Sequence, residues 1–503
     1  MLSLFKNNKK KKKTSSKRSF DAAIRDRINN NWDVNPVSID QDIRSSLKTL
    51  RNQARHLDSN SDYLRRYHTL LETGVIGHTG IMLQPSFKDS FGNINSKIND
   101  HLVEQFTAWA RECDVKGVHD WLELQRLCLR GLARDGEAFF RIVKGSNHNQ
   151  WQFALQMIDP SALDEQYNQD YDDTVGYSIK LSIKMDQWGK PISYFIKTDL
   201  PTGSHGVTTT EKGNKYFEIP ANEMIHVFKP TVADQTRGIP FCVTAMKRLR
   251  ILDLYEEAEL VKARCASNKL GFFKRKNFEE SNFGADEQDE NGDYITEGSP
   301  GSFYVLPPDV EYQGVDWQHD SSYVEFVKQT LRGISSGLSI GYNELNNDLE
   351  SVNFSSLRTA KTNTEDTYQE IQGLLIRKFI SRVFSEWLET SANLTDLIKI
   401  PLREIHKYKY PTFVGRKWRY LDPIKDIKAS ILSVDNNLKS RHQIAAEQGL
   451  SVEQTLAELK KEQEMMEKLG IRVDSENNID VDDEDLEEPE VKPSSKNKGK
   501  KRK

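Results

Sequence analysis

The sequence predicts an α+β protein, predominantly helical, and three observations carry that reading. Between Glu137 and Phe228 short runs rich in β-branched and aromatic residues alternate with Gly, Asp and Asn turns, the pattern of short antiparallel strands. On either side apolar residues recur at steps of three and four, the mark of helices with one buried face. The chain has 503 residues, beyond the size at which a single core keeps growing, so two to four structural units are expected.

Taken in order, Ile39 to Glu72 predicts two helices, with Leu47, Leu50, Ala54 and Leu57 on one face of the first and Leu64, Leu70 and Leu71 on the second. Gly74 to Gly80 breaks them, and Ile81-Met-Leu-Gln-Pro85 reads as a strand stopped by proline. Helices are expected from Ile94 to Arg111 and from Val118 to Ala133. Strands are expected at Glu137 to Val143, Trp151 to Ile158, Gly176 to Ile183, Pro191 to Ile196 and Met224 to Phe228. After Thr236-Arg-Gly-Ile-Pro240 the period becomes helical, with Ile251, Leu254, Ala258, Val261 and Cys265 on one face. Residues 271 to 318 are irregular, with a short apolar run Phe303-Tyr-Val-Leu306. A second helix begins near Ser322, with Tyr323, Phe326, Val327, Leu331, Ile334 and Leu338 on one side. Two helices thus bracket a small excursion.

The stretch from Gly341 to Phe354 is rich in side chains that hydrogen-bond their own backbone and oppose helix, so a polar loop is expected there. Ser355-Ser356 offers an N-cap, and the stripe from Leu357 to Leu388 predicts one helix of about 50 Å at 1.5 Å per residue. Ile398 to Tyr410 is mixed, Trp418-Arg-Tyr-Leu-Asp-Pro423 reads as a turn with an aromatic anchor, and helices are expected at Ile424 to Asn436 and Val452 to Lys468, joined by a helical turn through Arg441 to Gly449. No fixed-period repeat is present.

Composition narrows the function. The apolar share is 37% and the mean hydropathy −0.68, low for a compact monomer and suited to a subunit that buries its apolar stripes against neighbours. The net charge of −4 conceals a basic start (Lys9 to Lys13), an acidic stretch from Asp474 to Glu490 and a basic end from Lys492, so both tips are expected to be disordered. No apolar h-region follows the basic start and no apolar segment reaches about 18 residues, so neither export by a signal peptide nor a membrane span is expected. Cys113, Cys128, Cys242 and Cys265 form no C-x-x-C pair, which points to a reducing compartment without a zinc site or disulfide framework.

The sequence holds no G-x-x-x-x-G-K-[ST] phosphate loop, no G-x-G-x-x-G after a strand, no H-E-x-x-H and no G-x-S-x-G. No catalytic residue, metal ligand or cofactor is therefore assigned. Glu287, Asp289, Asn291 and Gly292 imitate part of a calcium loop, but its twelfth position is Gly298 rather than a bidentate Glu, so a solvated loop is the reading. Asp135-Gly-Glu137 reads as a turn between helix and strand, and His226, inside a strand, as a satisfied core residue. The Lys9 to Lys13 run is either a phosphate-binding arm or a solvated tail. Lys247, Arg248 and Arg250, among acidic neighbours, are either a salt-bridged face or a basic ring facing DNA.

Several co-ordered motifs resemble the lambda-type bacteriophage portal proteins. They are Arg51 and Arg55, Asp135-Gly-Glu137, Ile158-Asp-Pro160, Trp188-Gly-Lys-Pro-Ile-Ser-Tyr194, His226-Val-Phe-Lys-Pro230 with Gln235-Thr-Arg-Gly-Ile-Pro240, and Leu254-Tyr-Glu-Glu-Ala-Glu-Leu-Val-Lys-Ala263. The series continues with Pro300-Gly301, Leu306-Pro-Pro308, Val352-Asn-Phe-Ser-Ser-Leu-Arg358, Asp422-Pro-Ile-Lys425, Leu438-Lys-Ser-Arg441 and Glu447-Gln-Gly449, so it spans roughly Asp40 to Gly470. Relatives commonly carry Gly-Val-Pro where this chain has Ser339-Ile-Gly341.

The resemblance implies a portal fold of wing, stem, clip and crown that assembles as a homododecameric ring at a capsid vertex. Double-stranded DNA would be packaged and ejected through it, with no enzymatic step. It divides the chain into a basic arm (1–38), wing (39–238), first stem helix (239–270), clip (271–318), second stem helix (319–340), tunnel loop (341–354), long wing helix and return (355–421), crown (422–472) and charged tail (473–503). Tunnel-loop residues Tyr342, Asn343, Glu344, Asn346, Asn347, Asp348, Glu350, Ser351 and Asn353 would face DNA, and clip acids Asp286, Glu287, Asp289, Glu290 and Asp293 would dock the terminase. Implied partners are further copies of the chain, terminase, major capsid and scaffold proteins, head-tail connector proteins and non-specific DNA. The implied location is the virion, with the host cytoplasm during assembly. The competing readings are a terminase-like ATPase or nuclease, for which the motifs are missing, and a cytoplasmic helical scaffold, which leaves the ordered motifs unexplained.

Overall fold

In the computed structural model, residues 38–88, 95–145, 148–198, 215–267, 271–275, 310–314, 323–350, 353–418, 423–447 and 452–469 are described. Two compact units divide the chain, residues 1–416 and 417–503. Both charged tips, the run Phe303 to Leu306 and the acidic loop from Asp286 to Asp293 lie outside the described residues.

In the first unit, α1 (Ile39–Asn60) starts at Ser38, whose hydroxyl accepts from the Gln41 amide. Helix α2 (Asp62–Leu71) follows after Ser61 and runs into a π-helical turn, Glu72–Ile76. Strand β1 (Met82–Gln84) precedes α3 (Ser96–Trp109) and α4 (Trp121–Asp135). Helix α4 starts three residues after the predicted Val118 because Asp120 and Glu123 form a reciprocal capping box, which meets two of the amides a helix start leaves open.

Strands β2 (Glu137–Lys144), β3 (Phe153–Ile158) and, later, β9 (Met224–Phe228) make a three-stranded antiparallel sheet with β2 in the centre. Glu-Ala-Phe-Phe at the head of β2 is buried on both faces, so this part of the strand shows no alternation of apolar and polar residues. Between β3 and β9 lies a five-stranded antiparallel meander of β4 (Gln169–Asp172), β5 (Tyr177–Lys180), β6 (Ile183–Met185), β7 (Pro191–Lys197) and β8 (Tyr216–Pro220). The single strand predicted from Gly176 to Ile183 is in fact a hairpin. Its turn residues, Leu181 (φ 50°) and Ser182 (φ 69°), are both left-handed, as a two-residue turn requires, but carry neither Gly nor Asn to announce it.

Helix α5 (Val243–Ser267) and α6 (Tyr323–Leu338) pair along their lengths, and β10 (Gly271–Arg275) pairs antiparallel with β11 (Val310–Gly314) between them. A short α7 (Tyr342–Asn346) occupies part of the expected loop. Then come α8 (Phe354–Leu375), a π-helical turn Ile376–Ile380 and α9 (Ser381–Leu394), a continuous helical run of about 60 Å. Its cap is Asn353, which accepts from the Ser356 amide at 2.7 Å, rather than the predicted serine pair. A 3-10 turn Leu402–Tyr408 leads to β12 (Thr412–Val414), which pairs with β1.

Aromatic rings knit α3, α4 and α9 to the sheet: Phe106 lies 5.1 Å from Trp387, Trp121 5.3 Å from Phe379, and Phe140 4.5 Å from Phe379. The second unit contributes α10 (Pro423–Asp435), α11 (Arg441–Glu447) and α12 (Val452–Leu469). No helix among the described residues is long and apolar enough to cross a membrane.

Candidate functional site

The dispersed motifs of the first unit converge on one carboxylate. Glu137, fully buried at the head of β2, accepts from Arg237 Nη2 at 2.6 Å and Nε at 2.9 Å, from Arg51 Nη2 at 3.1 Å, from the Gly238 amide at 3.1 Å, and faces His226 Nε2 at 3.1 Å. Arg51 also holds Glu165 at 2.8 Å, and Arg237 donates to the carbonyls of Leu181 and Pro160. Two residues earlier, Asp135 pairs with Arg55 at 2.7 Å, and another nitrogen of Arg55 reaches Asp159 at 2.8 Å.

Glycine makes the approach possible. A Cβ on Gly238 would lie 2.0 Å from the Gly136 carbonyl oxygen, and one on Gly136, where φ is +90°, 2.5 Å from Ile239, so neither position has room for a side chain. Burial alone raises a carboxylate's pKa, but Arg237 and His226 more than offset it and hold Glu137 well below the usual range. Burial, with Arg237 alongside, keeps His226 below its ordinary 6.5, so the imidazole is neutral and donates to Glu137. The cluster around Glu137 is closed to solvent, with Arg51 Nε buried without a partner, and it ties α1, the sheet and the entry to α5 together. Asp135-Gly-Glu137 is thus more than the predicted turn, while His226 is the satisfied core residue expected.

The second feature is the polar segment between α6 and α8. It begins with Ser339 in a left-handed conformation (φ 57°), and the Gly341 amide donates to Thr364 Oγ1 of α8 at 3.3 Å. Leu345 is buried and anchors α7. The Tyr342 phenol donates to Asp348 Oδ2 at 2.9 Å and accepts from Asn346 at 3.3 Å, with the Arg332 guanidinium 5.5 Å from its ring. Asn347 is exposed and left-handed (φ 53°), and its side chain accepts from Arg66 of α2 at 3.0 Å. Lys328 of α6 faces Asp348 at 3.4 Å and Glu350 at 3.8 Å.

Glu344 is turned inward rather than out. Burial, opposed by a hydrogen bond from Thr364 and reinforced by the nearby Glu365, raises its pKa. Of the remaining predicted residues, Asn343 is half-buried, Glu350 and Asn353 are exposed, and Ser351 lies outside the described residues. So do the predicted clip acids Asp286, Glu287, Asp289, Glu290 and Asp293. Sequence reasoning missed Arg66, Lys328, Arg332 and Thr364, which hold the segment from three different helices; nothing local marks them.

The third feature is bare apolar surface on the paired helices. Ala245, Met246, Leu249 and Leu252 pack inward from α5, whereas Ile251, Leu254, Leu260 and Val261 are exposed, as are Val324 and Phe326 of α6. Tyr255 meets Phe326 at 5.0 Å, and Asp253 and Glu256 accept from Ser61 and Tyr63. The predicted stripe from Ile251 to Val261 is therefore largely uncovered in the single chain. Lys247, Arg248 and Arg250 are exposed; Arg250 acts electrostatically on Asp253, and Arg248 lies across Gly333 of α6.

Comparison with known proteins matches residues 25–372 to the model of a family described as phage portal protein, lambda family. The chain is 29% identical over 494 residues to a probable portal protein of Halomonas phage phiHAP-1, covering 95% of this chain and 94% of that one. It is 21% identical over 314 residues to portal protein B of Escherichia phage lambda, covering 56% and 57%. Among solved structures, a chain in the neck of an empty gene transfer agent particle aligns with a TM-score of 0.45 at 10% identity, over 79% of this chain and 93% of that one.

Proposed function

Since the chain belongs to the lambda family of phage portal proteins, we propose that it forms the ring at the capsid vertex through which double-stranded DNA is packaged and ejected. The observation that carries this reading is bare apolar surface on α5 and α6: Ile251, Leu254 and Val261 share one face of α5 and, like Val324 and Phe326 of α6, are exposed, more than a soluble monomer ordinarily leaves uncovered. A head-to-tail contact between copies buries such a stripe and closes into a ring when the rotation permits. A twelvefold ring, as the family resemblance implies, is the expected form.

In this reading α5 and α6 are the stem, β10 and β11 the base of the clip, residues 341–354 the channel-facing segment, and α10 to α12 the crown. The clip docks terminase and afterwards the head-tail connector proteins, while the wing meets capsid and scaffold proteins. The chain acts as a conduit rather than an enzyme. A conduit must not grip phosphates, because each one neutralised adds salt-dependent affinity. The acids of the segment fit that demand: Lys328 is engaged by Asp348 and Glu350 rather than offered to DNA.

Negative-stain images of the purified chain test the ring: closed rings support it, and a monodisperse monomer at micromolar concentration overturns it. The channel role is tested with Glu350→Lys, since Glu350 is exposed and its charge can be reversed without emptying a buried site. Rings of this variant should package DNA more slowly at low salt and recover as salt rises; an unaltered rate at every ionic strength removes the segment from the DNA path.

A further inference from the structure

Where α5 crosses α6, two arginines are brought to one place without an acid. Thr244 and Arg248 lie one turn apart on α5 and meet Gly337 and Gly333, one turn apart on α6. The Thr244 hydroxyl donates to the Gly337 carbonyl at 2.9 Å. Gly333 makes room for the Arg248 guanidinium, since a Cβ there would overlap Nη1. Arg248 therefore lies on the α6 backbone one residue from Arg332, whose own guanidinium is 5.5 Å from the centre of the Tyr342 ring. Both arginines are exposed, as is Ser336, one turn beyond Arg332 on the same side of α6.

Neighbouring cations are answered by acids and these two are not. Lys328, one turn before Arg332, faces Asp348 and Glu350, and Arg250 acts on Asp253. Among the described residues neither Arg248 nor Arg332 has an ion pair; a glycine positions the first and an aromatic face the second. Two guanidiniums and a hydroxyl offer hydrogen-bond donors with no carboxylate among them. The planar fork of arginine suits phosphate oxygens. A duplex presents one negative charge for about every 1.7 Å of its axis, so a single ligand of that kind can answer both cations at once.

We propose that Arg248 and Arg332 form a contact for the phosphodiester backbone of double-stranded DNA, with the Ser336 hydroxyl donating to the same strand. The inference rests on the DNA-conduit reading and gives it a named contact outside the polar segment. Its size limits its grip. Two neutralised phosphates per chain give a slope of log K against log salt of about −1.8, so raising salt from about 50 to about 200 mM weakens the contact about tenfold. Such a contact aligns a duplex beside the acids at Asp348 and Glu350 without holding it fast.

The test measures fluorescence anisotropy of a short labelled DNA duplex with the full chain over a range of salt. Three proteins are compared: the unaltered chain, Arg248→Gln with Arg332→Gln, and Arg248→Lys with Arg332→Lys. All three carry the same lysine-rich ends, so differences between them report the crossing alone. The glutamine pair should flatten the slope by about 1.8 for each chain in contact with the duplex, and the lysine pair, which keeps both charges, should retain it. An unaltered slope in the glutamine pair overturns the proposal. So does a slope lost equally in the lysine pair, which would mean that the arginines act by packing α5 on α6. Should the glutamine pair fail to fold, Arg332→Gln alone decides: a slope flattened by about 0.9 supports the site and an unaltered one overturns it. Absence of rings in the unaltered chain would overturn the conduit reading alone, because the slopes can be compared on unassembled chains.

Discussion

Replacing Glu137 with glutamine removes one charge and almost no volume, and so isolates what the carboxylate does. Arg237 would keep the carbonyls of Leu181 and Pro160 and one neutral amide oxygen in place of the carboxylate, while Arg51 would keep Glu165. Both Glu137 and Arg237 are fully shielded from solvent, and removing one partner from a buried pair costs about 3–5 kcal/mol, roughly two to four decades in the folding equilibrium at 1.36 kcal/mol per decade. By contrast, Lys144 and Glu386 form a half-exposed pair, and Lys144→Ala should cost no more than about 1 kcal/mol. Urea unfolding of the unassembled chain, followed by circular dichroism, compares the two. If charge imbalance is the cause, adding Arg237→Met to Glu137→Gln should recover part of the loss, since no lone buried cation then remains beside the amide. A Glu137→Gln chain that unfolds at the same urea concentration as Lys144→Ala, or a double variant weaker by the sum of the singles, would refute the pairing argument.

Val261→Asp should leave the unassembled chain's thermal midpoint unchanged, because Val261 is 54% exposed in the single chain, and should abolish rings in negative stain; a lowered midpoint would place Val261 in the chain's own core. Arg66→Ala combined with Lys328→Ala should speed hydrogen exchange at residues 342–350 severalfold without altering exchange in β2, since those cations hold Asn347 and Asp348 from separate helices; unchanged exchange would mean that the buried Leu345 alone seats the segment. For His226 the folded pKa lies below the ordinary 6.5, so the unfolded chain takes up a proton that the native chain refuses. Its contribution is fully present above pH 6.5 and is lost as pH falls below that value. His226→Phe should flatten the pH dependence of the urea midpoint just below 6.5, and an unchanged slope would assign that dependence to other groups.

Local order was legible where it depends on neighbours in sequence. Strand β9 falls where Met224 to Phe228 was expected, and α1, α2 and the α8–α9 run lie within a few residues of their stripes. What escaped was set by distant partners. The Leu181-Ser182 turn is left-handed because its carbonyl is needed by Arg237 and its leucine by Ile43 and Leu47, and no residue in the turn says so. Similarly, Glu137 looks like the third letter of a turn until Gly136 and Gly238 bring two backbones into contact. The motifs that carried the family resemblance were legible as a set before any one of them had a physical meaning, and the structure supplies it: Arg51, Glu137, His226 and Arg237 form one buried network, and Arg55, Asp135 and Asp159 a second one beside it.

That network bears on how the polar segment can work. The Glu137 cluster fixes the entry to α5 through Arg237 and Gly238, and Asp253 and Glu256 further along α5 are held to the α1–α2 junction at Ser61 and Tyr63. Arg66 in the same α2 reaches the segment, which also touches α6 through Lys328 and α8 through Thr364. The segment therefore sits where three helices meet, two of which are referenced to the same buried anchor. Its own bonds are of another kind: mostly half-exposed, single and polar, with Glu344 raised toward protonation by burial. For Glu344 the sign is the reverse of His226. A raised carboxylate pKa favours the docked segment at low pH and weakens docking as pH rises through the ordinary 4.5 toward the folded value. A rigid frame around a more weakly held insert lets the insert shift without disturbing the fold, because moving it breaks single polar bonds and unseats Leu345 but leaves the buried Glu137 cluster intact. Glu344→Gln, which removes the charge that burial disfavours, should slow exchange at 342–346 near neutral pH; faster exchange there would show that the carboxylate's bond to Thr364 outweighs its burial.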